Sequence, residues 1–106
     1  MAKRTARNSS LPEAIKIGGT LYEVLDDTLP LLREGLAGKC LRDKCEIRIN
    51  TEHDHQAVQD TLLHEVLHSL SYAYDLELTE SQVVRLTSGL TALMLDNPDF
   101  IEYLQS

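Results

Sequence analysis

The chain has 106 residues, of which 42% are hydrophobic and 25% charged, and its formal net charge is −7. This length suits one domain with a modest core, and the composition is that of a soluble globular protein. No apolar run approaches the roughly 18 residues of a membrane span, and the negative charge argues against nucleic acid as the main partner. We therefore expect one cytoplasmic domain without a membrane anchor.

The first ten residues carry Lys3, Arg4 and Arg7, with no hydrophobic segment behind them. This pattern is not that of a secretory signal. We predict that residues 1–10 form a disordered basic arm and that residues 11–106 form a single folded domain. Contact of this arm with nucleic acid is the alternative interpretation.

The sequence has only two cysteines, Cys40 and Cys45. A secreted domain of this size usually has more, and a structural zinc site needs a second pair of ligands. We predict two reduced thiols in a cytosolic hairpin. A disulfide across a tight turn is the alternative.

Two hairpins are predicted in the first half of the chain. Gly18-Gly19 separates two stretches rich in β-formers and supplies the positive φ angles that primed turns need. Residues 39–41 and 45–49 flank a polar turn and predict the second hairpin. Pro30 and Gly35 interrupt the stretch between the hairpins, which is predicted as a loop with at most one helical turn.

The last predicted strand, residues 45–49, alternates between two faces. Cys45, Ile47 and Ile49 share one face, so the strand is expected to be half-buried. If it lies at the edge of the sheet, its free backbone groups can pair with an extended peptide. A purely structural strand is the alternative.

Helices are predicted for the second half. A stretch from Gln56 to about Tyr74 follows Asp54, a candidate N-cap, and has an apolar stripe at helical spacing: Val58, Leu62, Leu63, Val66, Leu67, Leu70 and Tyr74. Thr79 to Gln82 fits a capping box that starts a helix reaching about Leu95, and Asn97 is expected to cap a short last helix. Strands followed by helices indicate the α+β class, with a small N-terminal antiparallel sheet.

The pentad His64-Glu65-Val66-Leu67-His68 lies inside the first long predicted helix. Positions i and i+4 lie about 40° apart around a helix and roughly 6 Å along it, so both imidazoles can point at one metal ion. Glu65, about 100° from His64, can then act as a general base on water activated by the metal. The alternative is two exposed histidines on a charged helix face.

A catalytic zinc needs a third protein ligand, which must follow His68 in the chain. Glu80 is the strongest candidate, because an antiparallel second helix would bring its first turn back to His68. An acidic residue is also favoured at a helix N-terminus by the helix dipole alone. Asp75 and Glu77 are the reserve candidates.

Three further side chains have open interpretations. His53 and His55 precede the helix and are expected to be solvated, with a metal or substrate role as the alternative. Tyr72, four residues after His68, is either a surface tyrosine or a donor to an oxyanion.

Several short motifs occur in an order that is typical of one family. Between about Glu13 and Phe100 they are Ile17-Gly18-Gly19, Tyr22-Glu23-Val24, Glu46-Ile47-Arg48-Ile49, Thr61 to His68, Leu78 to Val83, Arg85-Leu86, Gly89-Leu90 and Asp96-Asn97-Pro98. With them the chain resembles the minimal gluzincin-type zinc metallopeptidase domains, which are often found in bacteriophage and prophage-like bacterial contexts.

The resemblance implies a zincin-like fold that binds Zn²⁺ through His64, His68 and a glutamate at the start of the next helix, with Glu65 as general base. It implies hydrolysis of a peptide or protein substrate held along residues 47–49. The chain departs from the family at Val84, where related domains often have a second acidic residue, and at Ser88, where they have Asn. If the third ligand belonged to the Val84 position, this chain would have lost it.

The expected function is therefore a zinc-dependent peptidase. The alternatives are a catalytically inactive zincin-like module that binds a protein partner, and a metal-free α+β domain with a fortuitous pentad.

Overall fold

The computed structural model describes residues 11–106, and the prediction of a disordered arm at residues 1–10 lies outside this range. The described part is α+β, as predicted. Its elements in chain order are β1 (Ala14–Ile17), β2 (Thr20–Asp26), α1 (Thr28–Glu34), β3 (Gly38–Leu41), β4 (Glu46–Ile49), α2 (His55–Ala73), α3 (Glu80–Asp96) and α4 (Pro98–Gln105).

The sheet has the order β1-β2-β4-β3. Both predicted hairpins form, and in the first of them Gly18 and Gly19 have φ angles of 58° and 85°. The prediction of a wholly antiparallel sheet is wrong, because β2 and β4 pair in parallel, with Val24 opposite Ile47. A parallel pair needs a long connection, and here it runs through the segment predicted as a loop and then through β3.

That segment contains a two-turn helix, α1. The two residues that had indicated a loop, Pro30 and Gly35, lie in its first turn and at its end. Pro30 lies in the first turn, where a missing backbone N–H costs no helical hydrogen bond. Gly35 ends the helix in the left-handed conformation at φ 72°, and its N–H donates to the carbonyl of Leu32. Leu31, fully buried, anchors α1 to the domain.

The core lies between the sheet and α2. Its buried side chains come from β1, β2, β4 and the first turn of α2: Ile17, Tyr22, Val24, Ile47, Ile49 and Val58. One face of α2 packs against them through the partly buried side chains of Leu62, Val66 and Leu70. Asp54 caps α2 as predicted, since its side chain accepts a hydrogen bond from the Ala57 N–H at 2.8 Å. The sheet therefore fixes the position of the helix that carries the pentad.

Helices α2 and α3 run antiparallel. The start of α3 lies beside His68, and Thr91, further along α3, donates a hydrogen bond back to Asp60 near the start of α2. The predicted capping box is confirmed: Thr79 Oγ1 accepts from the Gln82 N–H at 3.1 Å, and the Gln82 side chain accepts from the Thr79 N–H at 2.8 Å. The first turn of α3 is thus well defined.

The predicted cap of the last helix is wrong in one respect. Asn97 precedes α4, but its side chain makes no capping hydrogen bond to that helix. Its Nδ2 instead donates to the carbonyl of Leu93 at 2.8 Å, because the residue also ends α3 and satisfies one of its last carbonyls.

Within residues 11–106, none of the helices combines the length and the apolar composition needed to cross a membrane.

A glycine marks the closest approach of β3 to α2. A Cβ on Gly38 would lie 2.7 Å from Thr61 Cγ2 and 3.0 Å from the carbonyl oxygen of Arg48. We predict that Gly38→Ala lowers the free energy of unfolding by about 1–3 kcal/mol, because β3 must move away from α2.

The matched control is Gly89→Ala in α3, where an added Cβ meets nothing within 4 Å. This substitution should raise the free energy of unfolding by about 0.5–1 kcal/mol, since alanine favours the helix. Urea denaturation of both variants measures these values. A neutral Gly38→Ala would show that the contact between β3 and α2 is not close.

Candidate metal centre

The histidines of the pentad lie on one face of α2, one turn apart. Their Nε2 atoms are 3.2 Å from each other, and the ring planes meet edge to face at 68°. Both side chains are partly buried. The i, i+4 spacing thus brings two imidazole nitrogens to one point, as predicted.

Glu80, the first residue of α3, completes the cluster. Its Oε1 lies 2.9 Å from His68 Nε2 and its Oε2 lies 3.0 Å from His64 Nε2. Among the described residues, these three form the group of side chains that can hold a metal ion. Asp75 and Glu77, the reserve candidates, lie in the linker outside it.

The cluster fits zinc by its geometry and by its donor atoms. Ligand atoms about 2.0–2.1 Å from a tetrahedral ion lie roughly 3.3 Å from each other. The two Nε2 atoms are 3.2 Å apart, each is close to a different oxygen of Glu80, and with one ligand atom taken from each residue the three atoms lie within 4.8 Å of one another. A modest adjustment of the side chains brings them to the separation that a zinc ion requires. Two imidazoles with one carboxylate favour zinc over magnesium or calcium, which prefer oxygen ligands throughout.

Glu65 is buried next to the cluster, with 8% of its surface exposed. Burial raises the pKa of its carboxyl, the charges of His64 and His68 lower it, and Glu80 raises it again. Across residues 11–106 its carboxylate accepts no hydrogen bond from another side chain or from the backbone. A buried acid without a partner costs stability, which is typical of a group kept for chemistry.

The cluster and Glu65 face a cleft of about 1050 Å³. One wall is β3 with the turn that follows it, and the other walls are α2 and the start of α3. His64, Glu65, His68 and Glu80 all line this cleft. The candidate metal ligands and the candidate base therefore face the same cleft.

The edge strands of the sheet are β1 and β3, and the expectation that residues 47–49 form an edge strand that holds a peptide is wrong. β4 lies between β2 and β3, so its backbone is paired on both sides, and Ile47 and Ile49 are fully buried. The alternation of β4 indicated two faces correctly, but it carried no information about the neighbours of the strand. β3 is the edge that lines the cleft.

Both cysteines are free thiols, in agreement with the prediction. Cys40 lines the cleft, and its Sγ lies 3.0 Å from the hydroxyl of Ser69. Burial raises the pKa of the Cys40 thiol more than the Ser69 hydrogen bond lowers it. The thiol is therefore kept protonated, a poor state for a zinc ligand.

The other candidates are not members of the cluster. His53 and His55 line a separate groove of about 600 Å³. Tyr72 is 62% exposed and is not among the residues that line the cleft, although Val84 and Ser88 are.

Arg42 is a cleft residue that the sequence did not single out. Its guanidinium carbon lies 3.7 Å from the centroid of the Tyr72 ring, and it lines the cleft that holds the cluster. In the sequence, the only feature that marked Arg42 was its position in the polar turn between β3 and β4. That turn did not indicate that Arg42 contacts Tyr72 on α2.

The raised pKa of Glu65 predicts a pH dependence for the metal-free protein. A carboxyl whose pKa is higher in the folded than in the unfolded state binds more protons when folded, so stability falls as pH rises through that window. We expect Glu65→Gln to unfold at higher urea than wild type at pH 7. This difference in stability between Glu65→Gln and wild type should vanish below the usual glutamate pKa of about 4.3.

Urea titrations of both proteins with a chelator, at pH 7 and at about pH 4, measure this difference. An advantage of equal size at both pH values would contradict the burial of an ionised Glu65.

Comparison of the chain with models of protein families, with curated proteins and with solved structures finds no match to any of them.

Proposed function

We propose that the protein is a zinc-dependent peptidase with His64, His68 and Glu80 as metal ligands and Glu65 as general base. The observation that carries this proposal is the convergence of the three ligand side chains beside a buried, unpartnered glutamate on one open cleft. A structural metal site has no need of such a base.

Each residue has a distinct part in the proposed reaction. His64, His68 and Glu80 would hold the zinc ion, which when bound would supply Lewis-acid chemistry at the scissile carbonyl and at water. Glu65 takes the proton from the attacking water and delivers it to the leaving amine nitrogen. Its burial favours this cycle, because a raised pKa brings the carboxyl closer to the pH at which it must both accept and release a proton.

The substrate is proposed to be an extended peptide that pairs with β3. Within the described residues β3 pairs only with β4, so the other side of its backbone faces the cleft. A peptide added there gains main-chain hydrogen bonds independently of its sequence.

The second candidate is a metal-holding module that binds a protein partner without cleaving it. It is favoured by the large apolar side chains that α3 and α4 leave exposed, which include Leu86, Leu93, Phe100 and Leu104 at 39 to 62%. Such side chains are typical of interaction surfaces when they are close together.

The test is cleavage of a degenerate peptide library by zinc-loaded protein, with new termini detected by mass spectrometry. We expect cleavage by wild type and a loss of about 10²–10⁴-fold in Glu65→Gln, with zinc content unchanged. The matched control, Glu102→Gln on the exposed face of α4, should cleave as wild type does.

Equal cleavage by wild type and Glu65→Gln would contradict the proposed base. Zinc binding without any cleavage by wild type would favour the second candidate.

A further inference from the structure

Among residues 11–106, two lysine or arginine side chains line the cleft, and one of them is not engaged by a carboxylate. Lys39 and Arg42 both line it. The Lys39 ammonium donates to both carboxylate oxygens of Glu34, at 3.0 and 3.2 Å. Arg42 forms no ion pair with any carboxylate in residues 11–106, although Asp43 is its neighbour in the chain. Its charge is therefore available to a ligand in the cleft.

The Arg42 guanidinium is held in place by an aromatic ring. It lies over Tyr72 at 3.7 Å from the ring centroid, and both side chains are exposed. Stacking occupies the face of the guanidinium and leaves its N–H edge free. Because Tyr72 is one helical turn after His68 on α2, the stack is next to the cluster along the helix.

The surroundings of Arg42 restrict where an anion can bind. Asp43, Asp60, Glu65 and Glu80 also line the cleft and repel a negative charge. In the metal-free cleft, Arg42 is the cationic side chain among these carboxylates that is not already paired with an acid, so it is where an anion gains energy. Its planar fork matches the two oxygens of a carboxylate better than a single point charge does.

We propose that Arg42, held by Tyr72, is a specificity-determining residue that binds a carboxylate of the peptide substrate in the cleft. The carboxylate is either the free C-terminus of the peptide or an acidic side chain, since both present the same two oxygens. This inference rests on the proposed function for the nature of the substrate. Tyr72 is a positioning residue, since it acts through Arg42.

The test is a nuclear magnetic resonance titration of the full chain in the presence of a chelator, so that a carboxylate cannot bind to metal. The probes are acetyl-trialanine with a free C-terminus, the same peptide as its C-terminal amide, and an amidated peptide with glutamate at its centre. The Arg42 Nε–Hε signal and the backbone signals of the β3–β4 turn report binding.

We expect wild type to bind at least one of the two carboxylate peptides about tenfold more tightly than the neutral amide, as one charge-assisted bidentate pair would give. Preference for the free C-terminus would identify the terminal carboxylate, and preference for the glutamate peptide would identify a side chain. Either result supports the proposal.

Variants of Arg42 and Tyr72 distinguish the effect of the arginine charge from the effect of its position. Arg42→Gln should lose the preference, Arg42→Lys should keep only part of it, and Tyr72→Leu should weaken it while leaving the charge in place. The matched control is Arg85→Gln, because Arg85 bonds to Ser81 on α3 and does not line the cleft. Its preference should equal that of wild type.

Equal binding of all three peptides by wild type would overturn the proposal, as would an unchanged preference in Arg42→Gln or no signal shift at millimolar peptide. The titration needs neither zinc nor turnover. A failure of metal binding or of cleavage therefore leaves its result intact, and the two proposals fail separately.

Discussion

The contact of the Glu80 carboxylate with both histidines of α2 is the interaction on which the candidate site depends. Twelve residues separate Glu80 from His68, and the chain must reverse completely between them. The linker does this with two non-glycine residues in the left-handed region, Asp75 and Glu77, each at φ 56°. Such conformations cost about 1 kcal/mol or more each, so the rest of the linker must hold them.

Three hydrogen bonds keep the linker in this conformation. The Leu78 N–H donates to the Ser71 hydroxyl in the last turn of α2, and the capping box at Thr79 fixes where α3 begins. Glu80 is therefore placed by backbone geometry, although its own side chain is 66% exposed. An exposed ligand on a fixed backbone suits a metal that must keep an open position for substrate.

The sheet contributes to the site through α2. Its core side chains hold one face of the helix, while Gly38 lets β3 approach Thr61 closely on the cleft side. Because β3 is an edge strand that pairs only with β4 among the described residues, the same contact places the unpaired edge of β3 along the cleft. The free edge of β3 and the three candidate metal ligands thus depend on one packing arrangement.

Much of this arrangement could be predicted from sequence because its signals are local. The pentad, the Gly18-Gly19 turn and the capping box at Thr79 each depend on spacings of a few residues, and the structure has all three. The parallel pairing of β2 with β4 could not be predicted, since no local pattern records which strands become neighbours. The contact of Arg42 with Tyr72 was missed for the same reason.

The most direct test of the central claim is X-ray absorption at the zinc edge on protein loaded with one equivalent of zinc. We predict a shell of nitrogen and oxygen at about 2.0–2.2 Å with two imidazoles and no sulfur. Glu80→Gln should lose the carboxylate contribution and much of the zinc, whereas Glu77→Gln in the neighbouring linker should match wild type. A sulfur shell at about 2.3 Å, or a spectrum unchanged in Glu80→Gln, would contradict the account.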